Sequence, residues 1–278
     1  MKNDDCSTHH LALLPSTSNP NAPGLNRRSF MIRSSVLAGG CALCMGSEAL
    51  FAARNEPLDT KLVEIFKSCK LVLAFQKVLD EEQATVLLVD CYGSMYRKLP
   101  AFPCVGFVRL NNLGFGGICE SDLSCAMTYI LLQGLSGRPG FISDPTMDES
   151  VNGIILAHCL GTLKMDGPDG KSAPYRLRTI MERQEGCVPQ VFMRVGQKVT
   201  QALLAEPDQL IYFTGAIIGT PDTDRSCRTK ITVQVDGDAT KLWQNWSRGL
   251  HRVTCYGDLT GDLRRFCRFK EIQMVNEA

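Results

Sequence analysis

The sequence holds no uninterrupted apolar run of the roughly 18 residues that a membrane-spanning helix requires, so no ordinary span is expected. Net charge is almost absent. Thirty lysines and arginines stand against 29 aspartates and glutamates, for a formal charge of +1, and this gives no electrostatic case for nucleic acid. There is no P-loop and no Gly-x-Ser-x-Gly elbow. Gly114-Phe115-Gly116-Gly117 is no dinucleotide fingerprint, because its third glycine is misplaced and no clear strand leads into it. Internal repeats are absent, and so is zinc-type cysteine spacing. Histidine is scarce: four residues, of which His9 and His10 fall in a polar N-terminal stretch, leaving His158 and His251. Cysteine is abundant instead, with 13 scattered residues and a single C-x-x-C at Cys41 to Cys44. Buried free thiols are the expected state, and disulfides remain open if the protein is exported.

What is present reads as a globular chain of 278 residues, 44% hydrophobic and 21% charged, enough for one large domain or two smaller ones. Residues 1–57 read as a disordered extension followed by a leader. Asn26-Arg27-Arg28-Ser29-Phe30-Met31 precedes the apolar small-residue run Val36 to Gly46. A basic segment before a short apolar core makes a secretory signal, and the arginine pair resembles the twin-arginine type. Export to the periplasm follows, with no membrane attachment after signal removal; the alternative is a cytoplasmic protein.

From Leu58 the pattern is α/β, then mainly β. Residues 58–150 read as a partial α/β unit: a helix carrying Leu62, Ile65, Phe66, Cys69 and Val72 or Leu73, then the β-branched strand Ala84 to Val89. Residues 151–278 give strand candidates at short intervals: Gly153 to His158, Val188 to Val195, Lys198 to Leu204, Gln209 to Ile218, Thr229 to Val235 and Arg252 to Tyr256. This is the pattern of an antiparallel, barrel-like C-terminal domain, interrupted by one helix near Ala239 to Arg248.

The stretch from Asn111 to Asp144 organises the chain. Glycines 114, 116 and 117 allow positive φ ahead of Glu120. Ser121 or Asp122 caps a helix whose apolar face carries Leu123, Ala126, Met127, Ile130 and Leu131. Ser136 to Gly140 stops that helix, Phe141 to Ser143 is extended, and Pro145 forces a break after Asp144. The helix carries the chain about 20 Å away at about 1.5 Å per residue, and the return recovers about 13 Å. Glu120 and Asp144 then share one edge of an α/β unit, where such sheets place ligands. Two carboxylates there suit a divalent cation or acid–base work. A histidine added to them favours manganese or iron over magnesium or calcium. The plainer alternatives are a dipole-favoured carboxylate at a helix start and a turn acid before proline.

Cys119-Glu120-Ser121-Asp122, Phe141-Ile142-Ser143-Asp144, His158-Cys159, Cys227-Arg228-Thr229 and Gly249-Leu250-His251-Arg252-Val253 with Tyr256-Gly257-Asp258 together resemble the L-fucose isomerase-like family. The likeness runs from about Leu58 to the C-terminus, over the later part of the family's middle domain and its C-terminal barrel domain. It implies an aldose–ketose isomerase that acts on a monosaccharide through an enediol, with manganese or another divalent cation as cofactor, in a homo-oligomer. Carried over, Glu120 and Asp144 are metal ligands and acid/base groups, His251 is the third ligand, and His158 is a substrate-binding residue. The family's N-terminal domain has no counterpart ahead of the matching region. This leaves a second reading, a non-catalytic carbohydrate- or metal-binding relative.

Overall fold

The computed structural model describes residues 12–15, 60–91 and 99–278. The leader, and nearly all of the extension, lie outside these residues. The first part holds strand β1 (Ala12–Pro15), helix α1 (Leu62–Glu82), β2 (Ala84–Val89), α2 (Cys104–Asn112), β3 (Gly116–Cys119) and α3 (Leu123–Ser136). Its three strands lie in the order β1-β2-β3, with β1 antiparallel to β2 and β2 parallel to β3. Mainly β structure follows: β4 (Phe141–Asp148), β5 (Gly153–His158), β6 (Tyr175–Arg178), β7 (Val188–Val191), β8 (Lys198–Glu206), β9 (Gln209–Gly219) and β10 (Thr229–Val235). The last elements are α4 (Ala239–Asn245), β11 (Arg252–Tyr256), α5 (Thr260–Lys270) and β12 (Gln273–Asn276). Strands β10-β5-β4-β11-β8-β9 pair in that order, and β9 returns to β10, closing a six-stranded antiparallel barrel. β12 adds to β9 in parallel, and β6 and β7 form a separate hairpin. An α/β part followed by a barrel is the architecture the sequence pattern anticipates.

Four local readings are corrected. Of the three glycines before Glu120, only Gly114 has positive φ, at 85°. Gly116 and Gly117 are strand residues, and a Cβ on Gly117 would lie 2.6 Å from the Cα of Phe107. Gly117 therefore lets α2 press onto β3, burying Phe107 completely, a contribution of about 1.5–3 kcal/mol, while Gly116 makes room for Val86 and Tyr129. Pro145 does not end its strand, since β4 runs through it to Asp148. β11 pairs only with Phe141 to Ser143, so past that point β4 has β5 as its ladder partner and can carry a residue without an N–H. The buried face of α3 is Cys125, Ala126, Thr128, Tyr129 and Leu132, while Leu123 and Met127 are exposed. Polar side chains secure that face: Thr128 Oγ1 accepts the N–H of Leu204 on β8, and Tyr129 donates to the Phe115 carbonyl. Finally, β4 belongs to the barrel and does not pair with β3. Glu120 and Asp144 therefore meet across the seam between two sheets, not on one sheet edge.

Both hydrophobic cores cross that seam. One joins Phe75, Phe107 and Val105 to Leu156, Val191 and Phe213. The other joins Ile118 and Tyr129 to Ile142, Val253 and Leu263. Asn112 at the end of α2 reinforces the join by accepting from the backbone N–H groups of Leu163 and Lys164 on the barrel side, each at 3.1 Å.

Candidate active site

Glu120, His158 and His251 sit at strand ends, and Asp144 sits mid-strand on β4, where pairing passes from β11 to β5. Glu120 is the first residue after β3, and both it and Ser121 adopt left-handed backbone, at φ 58° and 50°. Such geometry in non-glycine residues costs of order 1–3 kcal/mol each and gathers at functional sites. The N–H groups of Ser121 and Asp122 hold the turn by donating to Val89 and Cys119 carbonyls, at 3.3 and 3.4 Å. Asp122 then caps α3 by accepting from the Cys125 N–H at 2.8 Å.

The other three residues come from adjacent barrel strands. Asp144 on β4 lies opposite Ala157 on β5, and His158 is the next residue and ends that strand. Arg252 pairs with Ser143, so the same antiparallel register places His251 beside Asp144. Arg252 anchors this point. It is fully buried, ion-paired with Glu277, and its guanidinium lies 3.7 Å from the centre of the Trp246 ring.

These placements bring together all four residues expected from sequence. His251 Nε2 lies 3.5 Å from Glu120 Oε2 and 3.3 Å from Asp144 Oδ1. His158 Nε2 lies 3.8 Å from Glu120 Oε1, and the two imidazole centroids are 5.2 Å apart. The remaining nitrogen of His251, Nδ1, lies 3.2 Å from Asp122 Oδ2. Asp122 thus caps a helix with one oxygen and orients the imidazole with the other. Sequence reading gave Asp122 only the cap. Its one visible signal was the position two residues after Glu120, with nothing to connect it to a histidine 129 residues away.

Burial sets the protonation behaviour. It raises the pKa values of Glu120 and Asp144, with the His251 charge opposing in both cases. For His251 burial pulls downward, but the Asp122 hydrogen bond and the charges of Asp144 and Glu120 prevail and raise it. Asp122 is lowered, because hydrogen bonds from His251 and the Cys125 N–H outweigh its burial. His158 is pushed down to about 3 by burial and by the nearby His251, so it is neutral at neutral pH.

Glu120, His158 and His251 bring one donor atom each within 4.8 Å of one another, a grouping that fits a first-row divalent cation, and Asp144 joins it through its 3.3 Å approach to His251 Nε2. Among the described residues, His251 Nε2, Asp144 Oδ1 and both His158 ring nitrogens are buried without a hydrogen-bond partner, an arrangement that ordinarily costs free energy. Ligands about 2.1 Å from one ion at right angles lie about 3 Å apart, close to the spacing around His251 Nε2. One nitrogen among carboxylate oxygens suits manganese, iron or zinc better than magnesium or calcium. A carboxylate behind the imidazole is the usual support of a metal-binding histidine. Glu120, Asp144 and His158 line a cavity of about 290 Å³, near the lower end of small-molecule pockets. Cys91, Cys104, Cys119, Cys159 and Cys227 line the same cavity; sequence reading singled out none of them.

Fold and site together define an α/β unit joined to a closed β-barrel, with a small, largely apolar pocket at the seam into which a few polar groups converge. Comparison with known proteins finds two relatives of this chain. The chain is similar to the sulfoquinovose isomerase of Clostridium sp. (strain MSTE9), at 25% identity over 244 residues, which cover 80% of this chain and 50% of that protein. It is also similar to the sulfoquinovose isomerase of Alkalicoccus urumqiensis, at 27% identity over 88 residues, covering 31% of this chain and 20% of that protein. Both relatives are sugar isomerases, the general class that the sequence motifs imply. The chain spans about half the length of the first relative and about a fifth of the second. No family model matches it. No helix among the described residues is long and apolar enough to cross a membrane.

Proposed function

We propose that this chain carries the catalytic pocket of a metal-dependent aldose–ketose isomerase acting on a monosaccharide. The observation that carries the reading is the convergence of Glu120, Asp144 and the unpartnered Nε2 of His251, with Asp122 fixing the imidazole from behind. The likeness to two sugar isomerases supports the reaction class.

Glu120, Asp144 and His251 would hold the cation, manganese or a similar divalent ion. When bound, it supplies charge stabilisation at the sugar's carbonyl and neighbouring hydroxyl oxygens. The chain's own groups move the protons. One carboxylate of the Glu120 and Asp144 pair takes the proton from C2 and returns it to C1, while the hydroxyl proton on O2 passes to O1. Burial raises both carboxylates toward the operating pH, which favours a group that must both take and give a proton. His158, neutral and unpartnered, offers one donor and one acceptor to sugar hydroxyls.

Manganese-dependent thermal stabilisation, followed by an aldose panel, tests the proposal. Wild type at 100 times the dissociation constant gains about 2.7 kcal/mol, and Glu120→Gln and Asp144→Asn each lose that gain. If both variants bind manganese as wild type does, the metal assignment fails. If metal binds but no aldose turns over, the chain is a binding protein and the isomerase reading fails.

A further inference from the structure

The cavity has a second wall of different chemistry. Cys159 Sγ lies 3.4 Å from Cys227 Sγ. One sulfur from each and one oxygen of Glu182 all lie within 4.8 Å of one another. All three residues line the cavity, and both cysteines are free and partly exposed. We propose that Cys159, Cys227 and Glu182 form a second metal site, selective for a thiophilic divalent cation of the zinc class.

The geometry favours chelation over a disulfide. Two sulfurs bound tetrahedrally at about 2.3 Å from one ion lie about 3.8 Å apart, whereas a disulfide requires about 2.05 Å. Two thiolates and a carboxylate leave a fourth tetrahedral position open to the cavity, and soft sulfur ligands select zinc over manganese.

The fold builds this site deliberately. Cys159 follows the last residue of β5, and Cys227 lies two residues before β10, so both hang from the end of one ladder in which His158 pairs with Thr229. Glu182 arrives on the loop joining β6 and β7. Arg228, only 2% exposed, clamps that loop: its Nε donates to the Thr179 carbonyl at 2.9 Å, and an Nη donates to Thr179 Oγ1 and Gln184 Oε1 at 3.2 and 3.3 Å. Within the loop, the N–H of Ile180 donates to Glu185 O and that of Gln184 to Ile180 O, each at 2.9 Å. The residue next to Cys227 therefore presents Glu182 to both sulfurs. Cys91 and Cys119, at 3.2 Å, form a similar thiol pair, but their nearest carboxylate is Glu120, already committed to the first site. The second site shares no residue with Glu120, Asp144 and His251, so the isomerase reading can fail without affecting it.

Cobalt(II) titration of the reduced full chain tests the proposal, because thiolate-to-cobalt charge transfer reports sulfur ligation directly. Wild type develops the near-ultraviolet band, and one equivalent of zinc displaces it, because soft thiolate ligands favour zinc. Cys159→Ser and Cys227→Ser each lose the band. Cys91→Ser/Cys119→Ser keeps it. Glu182→Gln, at an exposed loop position, keeps the band but weakens binding by about tenfold or more. The proposal is overturned if the band survives in both single serine variants, if it disappears in Cys91→Ser/Cys119→Ser, or if Glu182→Gln binds cobalt as wild type does. A Cys159–Cys227 disulfide in the protein before reduction would overturn it as well.

Discussion

The two walls of the cavity differ in what their donor atoms do when no ligand is present. Around His251 the nitrogen and oxygen donors point at one another across 3.3–3.5 Å, and two of them are buried without partners. The thiols of Cys159 and Cys227 instead partner each other. The difference follows from where the residues come from. Glu120 and His251 are delivered by strand ends and Asp144 from within β4, in two different sheets, so their approach depends on the seam. Cys159 and Cys227 hang from one ladder, and Glu182 is clamped to its end by Arg228, so that group is local. A polar cluster assembled across a seam holds its donors apart from one another and leaves them available, whereas a cluster built on one ladder can satisfy itself.

The largest expected effect breaks the first wall alone. Glu120→Gln removes both a proposed ligand and a carboxylate capable of proton transfer, so the proposed isomerase activity should fall by about 10³-fold or more. The cobalt–thiolate band of the second wall is unchanged in the same variant. Loss of both signals together would show that the walls are not independent. A smaller and sharper test is Asp122→Asn. Asparagine caps a helix about as well as aspartate, so α3 keeps its start while His251 loses the charged partner that fixes its ring. Manganese affinity, read by calorimetry, falls about 10–100-fold with little change in the melting of the metal-free protein. Unchanged affinity would reduce Asp122 to a cap.

How much of this was legible follows from the same distinction. Glu120 and Asp144 were visible because they bracket a helix with clear start and stop signals: Asp122 before Leu123, and Gly137 after Ser136. His251 and His158 stood out because histidine is scarce and each sits at a strand end. The barrel strands were legible from β-branched runs punctuated by Pro, Gly and Asp. What failed was any inference that needed a tertiary partner. Pro145 reads as a break until the pairing of β4 with β5 and β11 is known. The exposed Leu123 and Met127 read as core because apolar spacing on a helix carries no direction, and the buried stripe, with Thr128 and Tyr129, is less apolar than the exposed one. Asp122 against His251, and Cys159 against Cys227, are contacts across many residues that no local spacing encodes.

The two histidines give a pH test in which the signs are opposite. The folded-state pKa of His251 is raised above the ordinary 6.5. Its stabilising contribution is therefore full below pH 6.5 and lost as pH rises through the raised value. The pKa of His158 is depressed to about 3. Folded His158 stays neutral while the unfolded chain takes up a proton, so stability is lost as pH falls from 6.5 toward 3. In the metal-free protein, urea midpoints across pH should show His251→Gln losing the wild-type decline on the alkaline side, and His158→Gln losing the decline on the acid side. Identical profiles for the two variants would mean that the Asp122 contact does not distinguish the two rings. Manganese affinity should rise with pH across the range where His251 deprotonates, because the proton and the cation compete for Nε2.

The smallest expected effect separates binding from chemistry within the first wall. His158 is 1% exposed and lines the cavity with both nitrogens unpartnered among the described residues, yet its closest carboxylate contact, to Glu120, is 3.8 Å. A neutral ring held at that distance, in the role proposed for it, contributes a hydrogen bond to a sugar hydroxyl in both the ground and transition states. One such bond is worth about 0.5–1.5 kcal/mol, or about 2–13-fold. His158→Gln should therefore raise KM for the best aldose within that range, leaving kcat and the manganese-dependent thermal shift close to wild type. If kcat falls with KM unchanged, or the manganese shift disappears, His158 belongs with Glu120 and His251 as a ligand. Those three residues already bring one donor atom each within 4.8 Å of the others, so the adjacent residues His158 and Cys159 would then each serve a different metal site.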